Sequence, residues 1–459
     1  MTVLLDRPAP PGGDVAAGPP RVARDPFIDV LRVAGIALVV FQHWTIPVLA
    51  FDGTTLTTGN ALETPGVWVV TWLSQVMPLV FFAGGAANAI SFRRARHDAP
   101  RWLATRLRRL AWPLLPLAAV WIPLPHALAA LGVPTQPLET GTRLTGQLLW
   151  FLAVYLIAVT ATPLMARLHD RYGGRVPVAL AAGAVLTDVA RFSTGVDALG
   201  YLNIVCVWLA VHQLGLLYAE GRITRPGVMA AGGFGAAALL VWAGPYPGSM
   251  IGLPGAEMSN MAPPTLAMLA VAFGQVGLAL LLRGRILRLP LRGLLTWAGP
   301  RVMTVYLWHM PALFTVTGVA VVGLGLDTPA PGSAGWFAGW PLWFGALCLV
   351  MWPLLKVFAR FEEPPALPYR PSGWPGVLVA AALVGAGLLT LTVAGFAPGA
   401  APVPAVASVI GGLLLTTSRR PRTSTRRAAR GRRRTRPAGA GSELPETRLS
   451  YAGRHNGMT

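Results

Sequence analysis

The fold is decided by the first long apolar run of the chain, FIDVLRVAGIALVVFQHWTIPVLAF at residues 27–51. A run of this length and hydropathy is long enough to cross a lipid bilayer as a helix. It nevertheless contains Arg32 and His43, with ten residues between them. Charged or titratable side chains inside a membrane span are costly and usually serve a function. The run therefore predicts a transmembrane helix that contributes to a functional site.

Helical geometry places Arg32 and His43 on one face of this span. Eleven positions at about 100° each come to about 1100°, within roughly 20° of three turns, and separate the two residues by about 16 Å. Asp29 lies one turn before Arg32 on nearly the same face and is positioned to pair with it. The pattern predicts a binding group near one membrane surface and a catalytic imidazole deeper in the membrane. The alternatives are an arginine that snorkels to lipid headgroups and a histidine that bonds to a neighbouring helix.

The composition is that of a membrane protein. The 459 residues are 54% hydrophobic and only 12% charged, which excludes an ordinary soluble domain. We predict an all-α, polytopic transmembrane helical bundle. The candidate spans are 27–51, 66–92, 110–131, 144–166, 176–190, 199–219, 227–244, 264–282, 302–325, 336–358, 374–397 and 402–417.

The charge of the connecting loops predicts the orientation in the membrane. Arginines are concentrated in the connections that follow the even-numbered spans, whereas the loops 52–65, 245–263 and 326–335 contain neither Arg nor Lys. By the positive-inside rule, the N-terminus and the connections after even-numbered spans are cytoplasmic. Twelve spans also return the C-terminus to the cytoplasm. The sequence thus predicts a multi-pass protein of the inner (plasma) membrane.

The two ends of the chain are predicted to be disordered cytoplasmic segments. Residues 1–26 are rich in Pro, Gly and Ala and show no cleaved signal peptide. Residues 418–459 are polar and include ten arginines between positions 419 and 436. Such a tail favours contact with anionic lipid. Nucleic-acid binding is disfavoured, because the tail has no aromatic residues among its arginines and no folded module.

A second candidate site lies in the ninth span, where the chain reads Tyr306-Leu307-Trp308-His309-Met310-Pro311. It places another imidazole, His309, within the bilayer. Pro311 lacks a backbone N–H, and carbonyl groups freed by it would be available to line a cavity. The alternative is a kinked packing helix with a hydrogen-bonded histidine.

A third candidate site is the basic segment before the third span. Arg106 and Arg109 suit a phosphate-bearing ligand, because guanidinium groups bind phosphate through two hydrogen bonds. Ordinary positive-inside topology is the alternative explanation for either residue. Glu362 and Glu363, after the tenth span, are predicted to lie in an exposed and solvated loop. No His/Cys metal cluster and no Gly-rich phosphate loop occurs in the sequence.

Taken in order, these segments resemble the membrane-bound acyltransferase-3 family, whose members acylate sugars, lipids and other small acceptors across bacterial membranes. The similarity extends from about residue 25 to 365. The matching segments are Ile28-Asp29-x-Leu31-Arg32 with His43 after ten residues, Phe81-Phe82-x-x-Gly85, Arg106-x-x-Arg109-x-x-x-Pro113, Leu149-Trp150-Phe151-Leu152 and Tyr306-Leu307-Trp308-His309.

The resemblance implies a ten-helix acyltransferase-like core at 27–365, with 366–417 adding one or two C-terminal helices. It implies that Arg32 and His43 are essential, and that Arg106 and Arg109 lie near the cytoplasmic face. It also implies acyl-CoA, typically acetyl-CoA, as the cytoplasmic donor, with no permanently bound cofactor. One departure is Ala83-Gly84-Gly85-Ala86 where the family commonly has Ser-Gly-Phe-Leu, so a hydroxyl is missing at that point.

The expected function is transfer of an acyl group to a hydroxyl of a carbohydrate, a lipid-linked sugar or a small molecule. His43 is expected to be the general base or a transient acyl carrier. His309 and Tyr306 are expected to orient the acceptor or stabilise the oxyanion, and Trp150 to contact substrate. The alternative is a transporter of an anionic small molecule held by Arg32. The absence of an internal repeat between the two halves of the sequence argues against a transporter.

Overall fold

The computed structural model describes residues 25–253, 256–365, 373–399 and 401–416. Almost all of the predicted N-terminal segment 1–26 and the predicted tail 418–459 lie outside the described residues, as does the connection 366–372 before the predicted C-terminal helices. The described part is built of α-helices with one short β-hairpin.

The helices begin and end as follows. They are α1 (Pro26–Thr45), α2 (Thr71–Ser74), α3 (Met77–Ala95), α4 (Ala99–Ala111), α5 (Leu114–Trp121), α6 (Leu124–Ala130), α7 (Thr135–Gln147), α8 (Trp150–Tyr172), α9 (Arg175–Thr194), α10 (Asn203–Ala219), α11 (Pro226–Ala243), α12 (Leu266–Ile286), α13 (Arg292–Ala298), α14 (Val302–Thr317), α15 (Ala334–Phe358), α16 (Gly373–Ala394) and α17 (Pro402–Leu415). A π-helical turn, Gly318–Gly323, continues α14.

The all-α, polytopic architecture predicted from the sequence is confirmed. Within the described residues, ten helical segments are long and apolar enough to cross a membrane, and Pro402–Leu415 is a shorter apolar helix. One segment, Val67–Ala130, has 64 residues and covers two of the predicted spans. Every predicted span overlaps a helix. The chain is a multi-pass membrane protein.

The predicted end of the first span at residue 51 is wrong. The helix α1 begins after Asp25, whose side chain caps it by accepting a hydrogen bond from the Phe27 N–H, and it ends at Thr45. Pro47 explains this end, because it has no N–H to donate to the carbonyl oxygen of His43, although Ile46 before it keeps helical dihedral angles. Residues 47–51 instead form β1, which pairs antiparallel with β2 (Leu56–Asn60). His43 therefore lies in the last turn of α1.

The β-hairpin is attached to the connection before α15 and to the first turn of α7. The Leu49 backbone exchanges hydrogen bonds with the N–H and hydroxyl of Thr328 at 2.8 and 3.1 Å. The amide of Gln136 both accepts from the Leu56 N–H and donates to the Leu56 carbonyl, at 2.8 and 3.3 Å. These bonds saturate part of the hairpin edge and hold it against the end of the bundle.

Close helix contact in the centre of the bundle depends on glycine. The helices α3 and α10 cross so tightly that a Cβ atom at Gly85 would lie 2.1 Å from the His212 carbonyl oxygen. A Cβ atom at Gly215 would lie 2.3 Å from the Phe82 carbonyl oxygen. Small residues permit such backbone approach in membranes. Gly85, in the segment where the sequence departs from the common family pattern, thus belongs to this crossing, whereas a Cβ atom at Gly84 would lie 2.6 Å from the Tyr155 ring of α8.

The long connection between α11 and α12 is fixed by a buried carboxylate. Asp188, only 2% exposed, accepts hydrogen bonds from the Tyr246 hydroxyl at 2.9 Å, the Leu266 N–H at 2.8 Å and the Asn203 amide at 2.7 Å. Burying a carboxylate is costly unless it is paired in this way. These contacts hold the connection over the end of the bundle that also bears the hairpin.

Candidate functional site

The two intramembrane histidines singled out from the sequence contact each other. Nδ1 of His43 lies 3.3 Å from Nε2 of His309, and the ring centroids are 5.1 Å apart. His43 Nδ1 is also 2.9 Å from the Val39 carbonyl oxygen, one turn earlier in α1. His309 Nδ1 is 2.6 Å from the Tyr306 carbonyl oxygen. The first and ninth predicted spans are thus joined through their imidazoles.

These partners fix the tautomers. A neutral imidazole donates from one nitrogen and accepts at the other. Since His309 Nδ1 faces the Tyr306 carbonyl oxygen, it carries the proton, and Nε2 is left as an acceptor. His43 Nδ1 then donates towards both the Val39 carbonyl oxygen and His309 Nε2. His43 Nε2 consequently bears a lone pair, and among the described residues it has no hydrogen-bond partner.

Two tryptophans hold the histidine pair in place. The indole N–H of Trp44 donates to the His309 carbonyl oxygen at 3.0 Å, and the indole N–H of Trp343 donates to the Trp44 carbonyl oxygen at 2.8 Å. The helices α1, α14 and α15 are therefore linked in series at the level of the imidazoles. Sequence reasoning did not identify these two indole hydrogen bonds, because tryptophans in an apolar pattern look like ordinary core residues.

His43 faces a cavity of about 330 Å³. The β-hairpin and the α11–α12 connection form part of its wall, and both contain stretches without Arg or Lys. Trp150 and Tyr306 line it as well, together with side chains from α1, α3, α7 and α14. The polar residues of the wall are Gln42, Thr58, Asn60, Gln75, Thr140 and Thr317. A mostly apolar cavity with a few polar groups suits a small ligand bearing hydroxyl groups.

Tyr306 and His309, predicted to orient the acceptor or stabilise the oxyanion, both make hydrogen bonds within the protein. The Tyr306 hydroxyl donates to the Leu148 carbonyl oxygen at 2.5 Å, so its proton is already engaged. His309 is fully buried and does not line the cavity. It lies behind His43, where it accepts from His43 Nδ1. In this geometry Tyr306 forms part of the cavity wall, and His309 contacts the side of the His43 imidazole that faces away from the cavity.

A cluster of arginines lies at the opposite end of α1 from His43. Arg106 is half-buried, donates to the Ser91 hydroxyl at 2.5 Å and stacks over the Trp102 ring at 5.6 Å. It interacts electrostatically with Arg109 and with Arg32. Arg32 is partly compensated by Asp29 at 3.8 Å and by the Glu362 carboxylate, whereas Arg106 and Arg109 add further positive charge that suits an anion such as phosphate. The structure thus brings together the three arginines proposed from the sequence.

Arg32 lies close to Asp29 and apart from the histidine cavity. Its guanidinium nitrogen is 3.8 Å from an Asp29 carboxylate oxygen, and the two side chains are 47% and 30% exposed. Such an exposed pair contributes little to stability. Arg32 does not line the cavity that His43 faces. Its exposure leaves it accessible to a ligand or to lipid headgroups.

Glu362 has a structural role that the sequence did not suggest. It was expected in a solvated loop, but its carboxylate accepts hydrogen bonds from the Met303 N–H, the Thr304 N–H and the Thr304 hydroxyl, at 2.8, 2.8 and 2.5 Å. Burial raises the pKa of the Glu362 carboxyl above its ordinary value, although these bonds oppose the shift. It thus caps α14, the helix that bears His309. The sequence did offer one indication of this role. Arg301, the residue preceding α14, does not cap the helix with its side chain, so an acceptor from elsewhere in the chain is needed there.

No group of three or more His, Cys, Asp or Glu side chains suited to a metal ion is found among the described residues. The groups that the geometry brings together are an imidazole pair beside a cavity and an arginine cluster at the opposite end of α1. This arrangement provides a base for a hydroxyl group and a separate anion site.

Comparison with known proteins adds independent evidence. The family model described as an acyltransferase domain matches residues 25–355, which is more than half of the chain. No curated protein and no solved structure matches the sequence. The matched range includes both histidines, the three clustered arginines and the walls of the cavity. The chain belongs to the acyltransferase-3 family of membrane acyltransferases.

Proposed function

We propose that this protein moves an acyl group, typically acetyl, from cytoplasmic acyl-CoA to a hydroxyl of a carbohydrate, a lipid-linked sugar or a small-molecule acceptor outside the membrane. The observation that supports it most directly is the unpartnered Nε2 of His43 facing a cavity, with Nδ1 held by Val39 and His309. Membership in an acyltransferase family favours this function over the transport of an anionic solute.

The loop charges support access to the site from two sides. The connections that wall the His43 cavity include 52–65 and 245–263, which contain neither Arg nor Lys, whereas the arginine cluster lies at the other end of α1. The positive-inside rule assigns the arginine side to the cytoplasm and the cavity side to the exterior. In the proposed topology both termini are cytoplasmic in the inner (plasma) membrane, and the acceptor enters from outside.

Donor binding is assigned to the cytoplasmic arginines. The phosphates of acyl-CoA would bind Arg106 and Arg109, with Arg32 close enough to contribute charge. Arg32 and His43 are separated by about 16 Å along α1. The extended pantetheine arm is the part of the donor that would bridge this distance and bring the thioester to the imidazole.

The proposed reaction is a direct acyl transfer. As the acceptor oxygen attacks the thioester carbonyl carbon, His43 Nε2 takes the hydroxyl proton. The imidazolium is stabilised by the two acceptors at Nδ1, the Val39 carbonyl oxygen and His309 Nε2. When the tetrahedral intermediate collapses, the C–S bond breaks and the leaving thiolate takes the proton from His43. The products are an acyl ester and free CoA thiol.

The second role open to His43 is a transient acyl carrier. In that case Nε2 attacks the thioester first, and the acceptor hydroxyl attacks the acyl-imidazole afterwards. Incubation of the purified protein with labelled acetyl-CoA in the absence of acceptor, followed by a rapid quench, separates the two roles. Label retained on residue 43 indicates a carrier, whereas label that remains on CoA indicates a base.

The activity is tested with membranes and labelled acetyl-CoA. We expect label to move to an acceptor when acetyl-CoA reaches the arginine-rich face, and not when it reaches only the opposite face. Mass spectrometry of envelope and secreted fractions from a deletion strain then identifies the acceptor as the species that lacks one acyl mass. Accumulation of unmodified solute in vesicles without acyl transfer would overturn the proposal and favour a transporter.

A further inference from the structure

A second cavity adjoins the one that His43 faces. Its volume is about 340 Å³, and it lies between α5, α6 and α7 on one side and α14 with the following π-helical turn on the other. Leu56, Phe314 and Thr317 line both cavities. The two cavities are therefore neighbours with three wall residues in common.

The second cavity is suited to hydrocarbon. Its lining is apolar apart from three threonines, and two of these have their hydroxyls engaged within their own helices. Thr142 donates to the Glu139 carbonyl oxygen and Thr315 to the Pro311 carbonyl oxygen, each at 2.9 Å. Val319, which also lines the cavity, is 62% exposed. An apolar cavity that reaches the surface of a membrane-spanning segment is accessible to a chain entering from the bilayer.

The third threonine lies at the junction of the two cavities and lacks a partner. Thr317 is 3% exposed, and within the described part of the chain its hydroxyl makes no hydrogen bond. A buried hydroxyl without a partner is costly, and few such groups occur in folded proteins. A ligand with a polar group between the two cavities would satisfy it.

We propose that the acceptor is an amphiphile whose hydrocarbon chain occupies the second cavity while its hydroxyl-bearing head occupies the cavity at His43. A polar linker between head and chain would then lie beside Thr317. This inference rests on the proposed function, and it selects the lipid-linked class among the acceptors considered above. A long acyl chain of the donor is the competing occupant, but its one polar group, the thioester carbonyl, has to lie at His43 for the transfer, and Thr317 is about 12 Å of helix further along than His309. Only methylene groups of that chain would then lie beside Thr317.

The glycines of the cavity provide a selective variant. A Cβ atom at Gly318 would have no heavy atom within 4 Å, so Gly318→Leu adds a bulky side chain at the second cavity from a position with open space at its Cβ atom. Gly345 in α15 is also free of neighbours within 4 Å and lines neither cavity, so Gly345→Leu is the matched control. Thr317→Val removes the unpartnered hydroxyl and keeps the side-chain shape.

Binding is measured first, because it requires no turnover. The protein in lipid nanodiscs is irradiated with an n-dodecyl glucoside bearing a diazirine near the end of its chain, and the labelled peptides are mapped. We expect labels in 124–142 and 311–322, suppressed by excess dodecyl glucoside and not by methyl glucoside. Gly318→Leu should reduce these labels severalfold, Thr317→Val should weaken the competition, and Gly345→Leu should change neither.

Labels spread evenly over lipid-facing helices, or competition by methyl glucoside alone, would overturn the inference. So would suppression by long-chain acyl-CoA with none by dodecyl glucoside, which would assign the cavity to the donor. Acyl-transfer assays separate this failure from failure of the proposed function. Specific cavity labelling without any acyl transfer contradicts the function alone. Transfer to soluble acceptors that Gly318→Leu leaves intact, without cavity labelling, contradicts the inference alone.

Discussion

Nδ1 of His43 lies 3.3 Å from Nε2 of His309, although 266 residues separate them in the chain. In this contact the two imidazoles have different hydrogen-bonding roles. His43 presents Nε2 to the cavity, whereas His309 is buried and presents an acceptor to the back of His43. An imidazole oriented from behind by a hydrogen-bond acceptor is the arrangement by which hydrolytic triads keep their base in the productive tautomer.

Replacement of His43 should remove the base. We expect His43→Ala to lower kcat for acyl transfer by about 10² to 10⁴, the usual effect of losing a general base. The measurement is label transfer from acetyl-CoA in membranes that contain equal amounts of the variant and wild-type proteins. A near wild-type rate at normal expression would remove His43 from the mechanism.

Replacement of His309 should act through orientation. His309→Gln keeps an acceptor near the position of Nε2, whereas His309→Leu removes it. We therefore expect the leucine variant to lose more of kcat than the glutamine variant, with the KM for acetyl-CoA unchanged in both. Equal losses of kcat in the two variants would show that the hydrogen-bond acceptor at position 309 does not contribute to the rate.

Arg106 should affect the donor and not the acceptor. In Arg106→Ala we expect a raised KM for acetyl-CoA with a smaller change in kcat, because the phosphate site is lost while the imidazoles are intact. With acetyl-pantetheine, which lacks the nucleotide phosphates, variant and wild type should react alike. Arg94→Ala, at an exposed position in the last turn of α3, is the matched control. An equal defect with both donors would contradict phosphate binding at Arg106.

The sequence predicted the helices and the candidate site residues, but not how the helices pack to bring those residues together. Hydropathy located a helix at each predicted span, although the first helix ends at Thr45 and the last is short for a span, because in lipid the backbone must satisfy its own hydrogen bonds within helices. Helical periodicity placed Arg32 and His43 on one face of α1. It could not predict that His43 meets His309, since that contact depends on how α1 packs against α14. Periodicity also could not reveal the β-hairpin, because the apolar pattern assigns β1 to the first span and β2 to the loop that follows it.

Glu362 is expected to position His309 from the N-terminal end of α14. Its carboxylate binds two N–H groups of the first turn, Met303 and Thr304, where the helix dipole also favours negative charge. In Glu362→Gln one oxygen becomes an NH₂ group that cannot accept, so the cap weakens. We expect a lower kcat with a smaller change in KM and only a modest loss of thermal stability.

Glu363→Gln, at the exposed neighbouring position, is the control and should resemble wild type. A variant that loses stability while keeping kcat would limit Glu362 to a structural role.

Glu220 should make stability depend on pH at the arginine-rich face. The pKa of Glu220 lies below its ordinary value of 4.5. Burial alone would raise this pKa, but the hydrogen bond and charge of His169 outweigh it, together with the charge of Arg93 and a hydrogen bond from Arg222. A carboxyl with a lowered pKa in the folded state stabilises the fold above its unfolded pKa, and this stabilisation is lost as the pH falls through the folded pKa. We therefore expect Glu220→Gln to lower Tm at pH 7, and the difference from wild type to shrink as the pH falls below about 4.5. Differential scanning fluorimetry in detergent across this range measures it, with Glu363→Gln as the control of equal charge. A Tm difference that stays constant with pH would show that Glu220 contributes through packing and not through its charge.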